Sequence, residues 1–299
     1  MFRSSLNAAR KGKHVMKAAT AATAILAALW LVLAGCRDEP PNPPPAQPAV
    51  ELPGIDVDLG GSVTMKLLLV PAGEFMMGYP NGDPERPRDE GPQRRVVIAQ
   101  PFYMSACEVT QEQYERVTGV NPSRFKGPKN PVETVNWDDA VEFCRKFSRK
   151  TGMTARIPTE AQWEYACRAG SATRFCYGDD RENLHFGDYA WYGPNSGGST
   201  HPVAQKKPNA WGFYDMHGNV LEWCDQGEQA ATGPASLFRP IRGGGWMVGA
   251  WLCASARRAG DPRTTSADHL GIRLVVDAPA ASRPASHPAG ANASIAPGS

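Results

Sequence analysis

Asn209-Ala210-Trp211-Gly212-Phe213-Tyr214-Asp215-Met216-His217-Gly218-Asn219-Val220-Leu221-Glu222-Trp223 is the stretch whose reading decides the fold. It lies within Ser171 to Ile241, where Gly, Pro and Asn interrupt every apolar run. A segment of that length packed without regular structure must satisfy its backbone N–H and C=O groups by other means. Bound ions, buried water and side-chain hydrogen bonds are the available ones. Asp215 and Glu222 stand seven residues apart with Gly218 between them to permit a tight turn. Two carboxylates so placed can surround a hard cation with oxygen ligands; the other reading is that each caps or pairs locally.

Outward from this stretch, helices are few and well marked. Thr110-Gln111-Glu112-Gln113 has capping-box spacing and predicts a short helix through Arg116. Asp138 to Lys150 carries Val141, Cys144 and Phe147 at helical spacing, with Gly152 placed to end the helix. Thr159-Glu160-Ala161-Gln162 is a second capping box, whose helix buries Trp163 and stops at Gly170. Lys66 to Val70, Arg95 to Ala99 and Phe102 to Cys107 are apolar runs of strand length. The folded part is read as one domain over residues 62–276 with no internal linker.

The chain ends have other roles. Arg3, Arg10, Lys11, Lys13 and Lys17 precede the apolar run Ala18 to Leu33, which is short for a membrane span and followed by small residues. That is the pattern of a secretory signal over residues 1–35. The run closes Leu33-Ala34-Gly35-Cys36, which resembles a bacterial lipobox and makes Cys36 the expected lipidated residue, in a periplasmic or outer-membrane lipoprotein. Residues 36–61 are proline-dense and are read as a tether; residues 277–299 are Ala, Pro, Ser and Gly with few large apolar side chains, and are read as a disordered tail. The formal charge of +2 falls to −3 once the five basic groups of the signal are removed. No basic stripe remains to engage nucleic acid.

Six cysteines besides Cys36 remain: Cys107, Cys144, Cys167, Cys176, Cys224 and Cys253. In an oxidising compartment they allow three bridges, and buried free thiols are the equal alternative. His185, His201, His217 and His269 show no helical pair and no HExxH, so a zinc or iron site is not expected. Gly243-Gly244-Gly245 is followed by Trp246 and not by Lys-Ser/Thr, so it is read as a close backbone approach in a tight bend. Arg257, Arg258 and Arg273 are read as structural arginines, with an acidic ligand as the alternative.

Several motifs run in one order across the whole folded part. They include Gly73-Glu74-Phe75-Met76-Met77-Gly78, Glu108-Val109-Thr110 with Tyr114, Asn136-Trp137-Asp138-Asp139-Ala140, Ile157 to Ala166, Thr200-His201-Pro202-Val203, Asn209 to Trp223 and Arg242-Gly243-Gly244-Gly245-Trp246. Together they resemble the formylglycine-generating enzyme (sulfatase-modifying factor) family. The resemblance implies an α+β fold of C-type-lectin-like kind: a small twisted antiparallel sheet, two or three helices and much irregular chain. It also implies a structural calcium ion held by the Asp215 and Glu222 side chains and the Gly218 and Val220 carbonyls.

In that family two cysteines five positions apart hold copper(I), with which the enzyme oxidises a sulfatase cysteine to formylglycine using O2; paired thiolates suit a soft ion. The second cysteine falls on Cys253, the first on Val248, and the active-site Ser on Gly245. The resemblance thus implies a family member that keeps the fold and a ligand groove and has lost the copper oxidase chemistry. Trp246, Trp251 and Arg257 are the candidate contacts for a peptide, protein or glycan, with a plain core role for the two tryptophans as the alternative. The rival expectation is a formylglycine-generating oxidase with Cys253 as its sole catalytic thiol, copper entering only on that reading.

Overall fold

In the computed structural model, three helices form, two at the expected capping boxes and one over the apolar pattern of Asp138 to Lys150, where Asn136 supplies a cap the sequence reading did not name. They are α1 (Gln111–Thr118), α2 (Trp137–Thr151) and α3 (Glu160–Arg168). Each starts with a complete capping box: Thr110 with Gln113, Asn136 with Asp139, and Thr159 with Gln162. Loss of one such cap costs about 1 kcal/mol. Gly119 and Gly152 end α1 and α2 in the left-handed conformation, and Ala169 does the same for α3. A single turn, α4 (Phe186–Tyr189), follows.

The structure describes residues 49–278 apart from 81, 85, 88–91 and 228–236. The chain divides into two compact units, Met1–Asn42 and Pro43–Ser299, and all described residues belong to the second. The expected signal segment, the lipidated Cys36 and the tail beyond residue 278 lie outside the described residues. No helix among the described residues is long and apolar enough to cross a membrane.

Five strands form the main sheet: β1 (Gly54–Asp58), β2 (Thr64–Val70), β5 (Phe102–Ser105), β6 (Ala155–Arg156) and β11 (Val275–Asp277). Their order is β1-β2-β5-β11-β6, and every pair is antiparallel. A hairpin of β3 (Gly73–Met77) and β4 (Arg94–Ile98) stands apart. The third sheet has the order β10-β7-β8-β9. Its members are β7 (Leu221–Trp223), β8 (Phe238–Arg242), β9 (Ala259–Pro262) and β10 (Leu270–Gly271). The β10–β7 pair is parallel. Among the described residues the β structure comprises three small sheets, in keeping with the expected α+β fold.

The expected tether is corrected at its end. Ile55 and Val57 alternate with polar neighbours once the proline-dense stretch is past, and β1 pairs in register with β2 from Gly54↔Leu68 to Asp58↔Thr64. Val57 and Leu59 enter the core, so the fold begins before residue 62. At the other end Asp277 still belongs to β11, where it pairs with Phe102.

In the irregular segment, Asn and Asp side chains supplement backbone–backbone bonds such as Asn219 N to the Trp191 carbonyl (2.8 Å). Asn209 donates to the carbonyls of Ala166 (2.7 Å) and Cys167 (3.1 Å), and accepts from the N–H groups of Trp211 and Phe213. Asp180 accepts from Leu184 N, His185 N and the Tyr177 hydroxyl. Asn219 bonds His201 N and the carbonyl of His201. Side-chain bonds, one of the three means expected, thus recur along this stretch.

Two buried ion networks meet on α3. Arg242 donates from Nε to Glu160 Oε1 (3.1 Å) and from Nη2 to Glu164 Oε2 (2.9 Å). Glu164 also accepts from Arg168 Nε and Gly78 N. Between these glutamates, Trp163 donates from Nε1 to Glu222 Oε2 (2.7 Å). Arg273 grips both Glu222 oxygens and reaches the carbonyls of Ser105 (2.8 Å) and Tyr214 (2.9 Å). Arg242, Arg273, Glu164 and Glu222 all have fully buried side chains. Removing one member of a buried pair strands its partner's charge, at a cost of about 3–5 kcal/mol. Urea denaturation should therefore show Arg273→Met less stable by that amount or unfolded. Arg95→Ala, which breaks the exposed Arg95–Glu74 pair, should change stability by about 0–1 kcal/mol.

Candidate functional site

The segment that begins at Arg242 folds back tightly on itself. Gly243 and Gly244 adopt φ of 99° and 74°, left-handed values open to glycine. An added Cβ at Gly243 would lie 3.2 Å from the Trp163 ring. At Gly244 it would collide with Cys253 Sγ. The expected close approach is thus an approach to a thiol. Cys253 ends the 3-10 turn Ala250–Cys253, is wholly buried, and its Sγ lies 3.7 Å from the Gly249 carbonyl oxygen. Burial pushes this thiol up to about 12, so it is protonated at neutral pH.

Val248 lines a cavity of about 190 Å³ with Leu221, Ile241, Leu252 and the two glycines. Its rim carries Arg257, whose guanidinium lies 5.4 Å from the centre of the Trp251 ring. Trp251 is 52% exposed and Met247 51%. The other expected contact, Trp246, goes elsewhere. Its indole donates to Asp268 O (3.0 Å) and packs edge-on to Phe125 at 5.3 Å. The structure therefore brings Trp251 and Arg257 together beside the cavity and assigns Trp246 to packing. A Cβ added at Gly245, the position of the family's Ser, would meet only ordinary contacts, the nearest being Asn219 O at 3.5 Å.

All six cysteines from Cys107 to Cys253 are free thiols, of which Cys107 alone is half-buried and the rest buried. Three of them surround His217. His217 Nδ1 donates to the Cys253 carbonyl (2.8 Å), and Nε2 accepts from Cys176 N (3.1 Å) with Cys167 Sγ 3.8 Å away. These two backbone partners require the neutral Nδ1–H tautomer. Sequence spacing gives no hint of this role, because both partners are contributed by distant backbone.

The expected calcium ligands do not assemble as a set. Asp215, at φ 57°, accepts from Ala204 N through Oδ2 (2.7 Å), while its buried Oδ1 has no hydrogen-bond partner. Burial, with some help from Glu222, raises its carboxyl to about 6. An oxygen of this kind suits a cation, but Glu222 does not. Both of its oxygens are taken by Arg273 and Trp163, and the guanidinium already supplies the countercharge. The Asp215, Gly218, Val220 and Glu222 set therefore does not fit calcium here, and the local-pairing reading holds for Glu222. Sequence reasoning missed Glu108, which accepts from Val220 N (3.0 Å) and Asn219 Nδ2 (2.7 Å) and thereby holds this turn. Burial, then the nearby Asp215 and Glu222, push Glu108 well above the usual carboxylate range.

Comparison with known proteins shows the family of the chain. The family described as the sulfatase-modifying factor enzyme 1-like domain matches residues 61–278. The chaperone protein LppX of Paenibacillus barcinonensis is 32% identical over 202 residues, which is 50% of this chain and 71% of LppX. The formylglycine-generating enzyme of Bos taurus is 28% identical over 288 residues, 71% of this chain and 75% of the enzyme. The solved structure of PvdO from Pseudomonas aeruginosa is similar with a TM-score of 0.67 and 30% identity, covering 77% of this chain and 100% of PvdO.

The His217 geometry has a pH signature. Burial pulls this imidazole from 6.5 down to about 4, so unfolding takes up a proton between those values. Its contribution is complete above about pH 6.5 and is lost as pH falls through 4, by up to about 3 kcal/mol. Denaturant titrations of parent and His217→Gln should show the variant less stable at pH 7.5, with the gap shrinking across that window.

Proposed function

The chain belongs to the sulfatase-modifying factor enzyme 1-like domain family, and from that premise we propose that it is a binding or assembly protein of the bacterial cell envelope that has left the family's oxidase chemistry. The observation that carries this reading is the state of Cys253. A copper(I) pair needs two thiolates within reach of each other and of substrate. Here the partner position is Val248, an aliphatic wall of the cavity, and Cys253 is sealed under Gly244 with its thiol raised to about 12. The residues present do not fit copper(I), and no oxidative step is assigned to them.

What the segment does offer is a contact surface. Val248, Leu252 and Arg257 line an aliphatic hollow of about 190 Å³, the exposed Trp251 ring lies 5.4 Å from the Arg257 guanidinium, and Met247, next to Val248 in sequence, is exposed as well. Exposed aromatic and Met side chains with a half-buried Arg at a small apolar pocket are the composition of protein and peptide contact sites. The name of LppX, a chaperone protein, supports a peptide or protein ligand, with a glycan as the alternative. Anchoring through a lipid on Cys36 would hold this surface at a membrane.

Two measurements test the proposal. Copper(I) titration of the reduced protein, followed by incubation with a Cys-x-Pro-x-Arg peptide and O2, should give no tight one-to-one complex and no peptide aldehyde. Either product would establish the oxidase instead. Expression in a bacterial host should place the parent in the washed membrane fraction and Cys36→Ser in the soluble fraction; equal membrane retention would remove the lipid anchor.

A further inference from the structure

The lining of the hollow beside Val248 runs from buried to exposed. Ile241, Gly243 and Gly244 are buried, Leu221, Val248 and Leu252 are half-buried, and Ala259 is exposed, so the hollow communicates with solvent. Its volume, about 190 Å³, is below the roughly 300–1,000 Å³ of sites that enclose a whole small molecule. An apolar cavity of about 150 Å³ admits benzene. The space here is therefore that of one side chain and not of a free ligand of ordinary size.

The deep part of the lining is apolar or already satisfied. Arg242 lines it, but its donors go to Glu160, Glu164 and the carbonyls of Ser255 and Arg257. A polar side chain entering there would give up water without gaining a partner. An aliphatic or aromatic one would gain the van der Waals contacts that the open hollow leaves unmade. The walls are also held in position. Val248 N donates to Gly245 O (3.2 Å), the Val248 carbonyl accepts from Gly193 N (2.9 Å), and Leu252 N donates to Gly249 O (3.0 Å). Walls fixed in this way need little ordering when a side chain enters, which favours binding. The exposed Met247 and Trp251 stand next to Val248 and Leu252 in sequence, an arrangement suited to a buried anchor with further contacts around it.

On the premise of the peptide contact surface proposed for this segment, we propose that the hollow is its anchor subsite. It receives one uncharged apolar side chain of the bound peptide, of the size of Leu, Met or Phe, and Val248 sets the preference for apolar over polar side chains. The valine at this position thus makes a wall against which a ligand side chain packs.

The test is photo-crosslinking of the full chain in detergent with a Gly/Ser heptapeptide whose central residue is a diazirine analogue of leucine, the adducts being mapped by mass spectrometry. Adducts should fall on Leu221, Val248 or Leu252. The same peptide with Leu at its centre should compete at least about ten-fold more effectively than one with the near-isosteric Asn. Val248→Thr, which keeps the shape and adds a hydroxyl, should lower the adduct yield at least about three-fold. Val248→Trp, which fills the hollow, should lower it further, and Val248→Thr carries the test should that variant fail to fold. Adducts on Trp251 or Met247 with none in the hollow, equal competition by the Asn peptide, or indifference to the folded variants would overturn the proposal and leave the contact surface standing. No adducts anywhere from Arg242 to Ala259 would remove both.

Discussion

Helix α3 holds the buried Arg242 directly and is linked to the buried Arg273 through Trp163 and Glu222, and the rest of the fold is arranged around that constraint. Glu160 and Glu164, four residues apart on one face, receive Arg242. Trp163 lies between them, with the Arg242 guanidinium 5.9 Å from its ring and its own N–H on Glu222. Glu222 in turn holds Arg273, which fixes carbonyls from β5 and from the turn before β7. One short helix thereby joins the main sheet, the third sheet and the hairpin end at Gly78. A buried guanidinium is tolerated only when nearly all its donors are used, so each arginine dictates where several distant carbonyls must sit.

The same requirement shapes the segment around Cys253. Arg242 Nη1 donates to the carbonyls of Ser255 (3.2 Å) and Arg257 (3.0 Å), drawing the chain after Cys253 back over β8. With His217 bonded to the Cys253 carbonyl, that residue is tied on both sides. The bend at Gly243 and Gly244 then closes onto the thiol. Cys253 is thus better described as part of the core cluster with Phe175, Phe186 and Ala254 than as a reactive group, and the exposed chemistry of the segment belongs to Trp251 and Arg257.

Much of this is legible in the chain. Capping boxes are local in sequence, so the helices appear where Thr110, Thr159 and the α2 pattern place them; Asn136 moves the α2 start back to Trp137 because the actual cap precedes the apolar pattern. The consecutive motifs identify the family and its α+β fold. What stays hidden depends on partners far apart in sequence. Glu222 reads as a cation ligand because nothing near it announces Arg273, 51 residues away. Trp246 and Trp251 are indistinguishable as letters, and only the packing of Phe125 and the carbonyl of Asp268 separates them. The alternation of Ile55 and Val57 is masked by the proline density of the residues before it.

The proposed function requires that Cys253 be sealed and protonated in the folded protein, a core residue and not a reactive thiol. Differential alkylation followed by mass spectrometry of the folded protein at about pH 8 tests this directly. Cys253 should stay unlabelled in the native protein and be labelled only after denaturation. Rapid labelling of Cys253 in the folded state would contradict it.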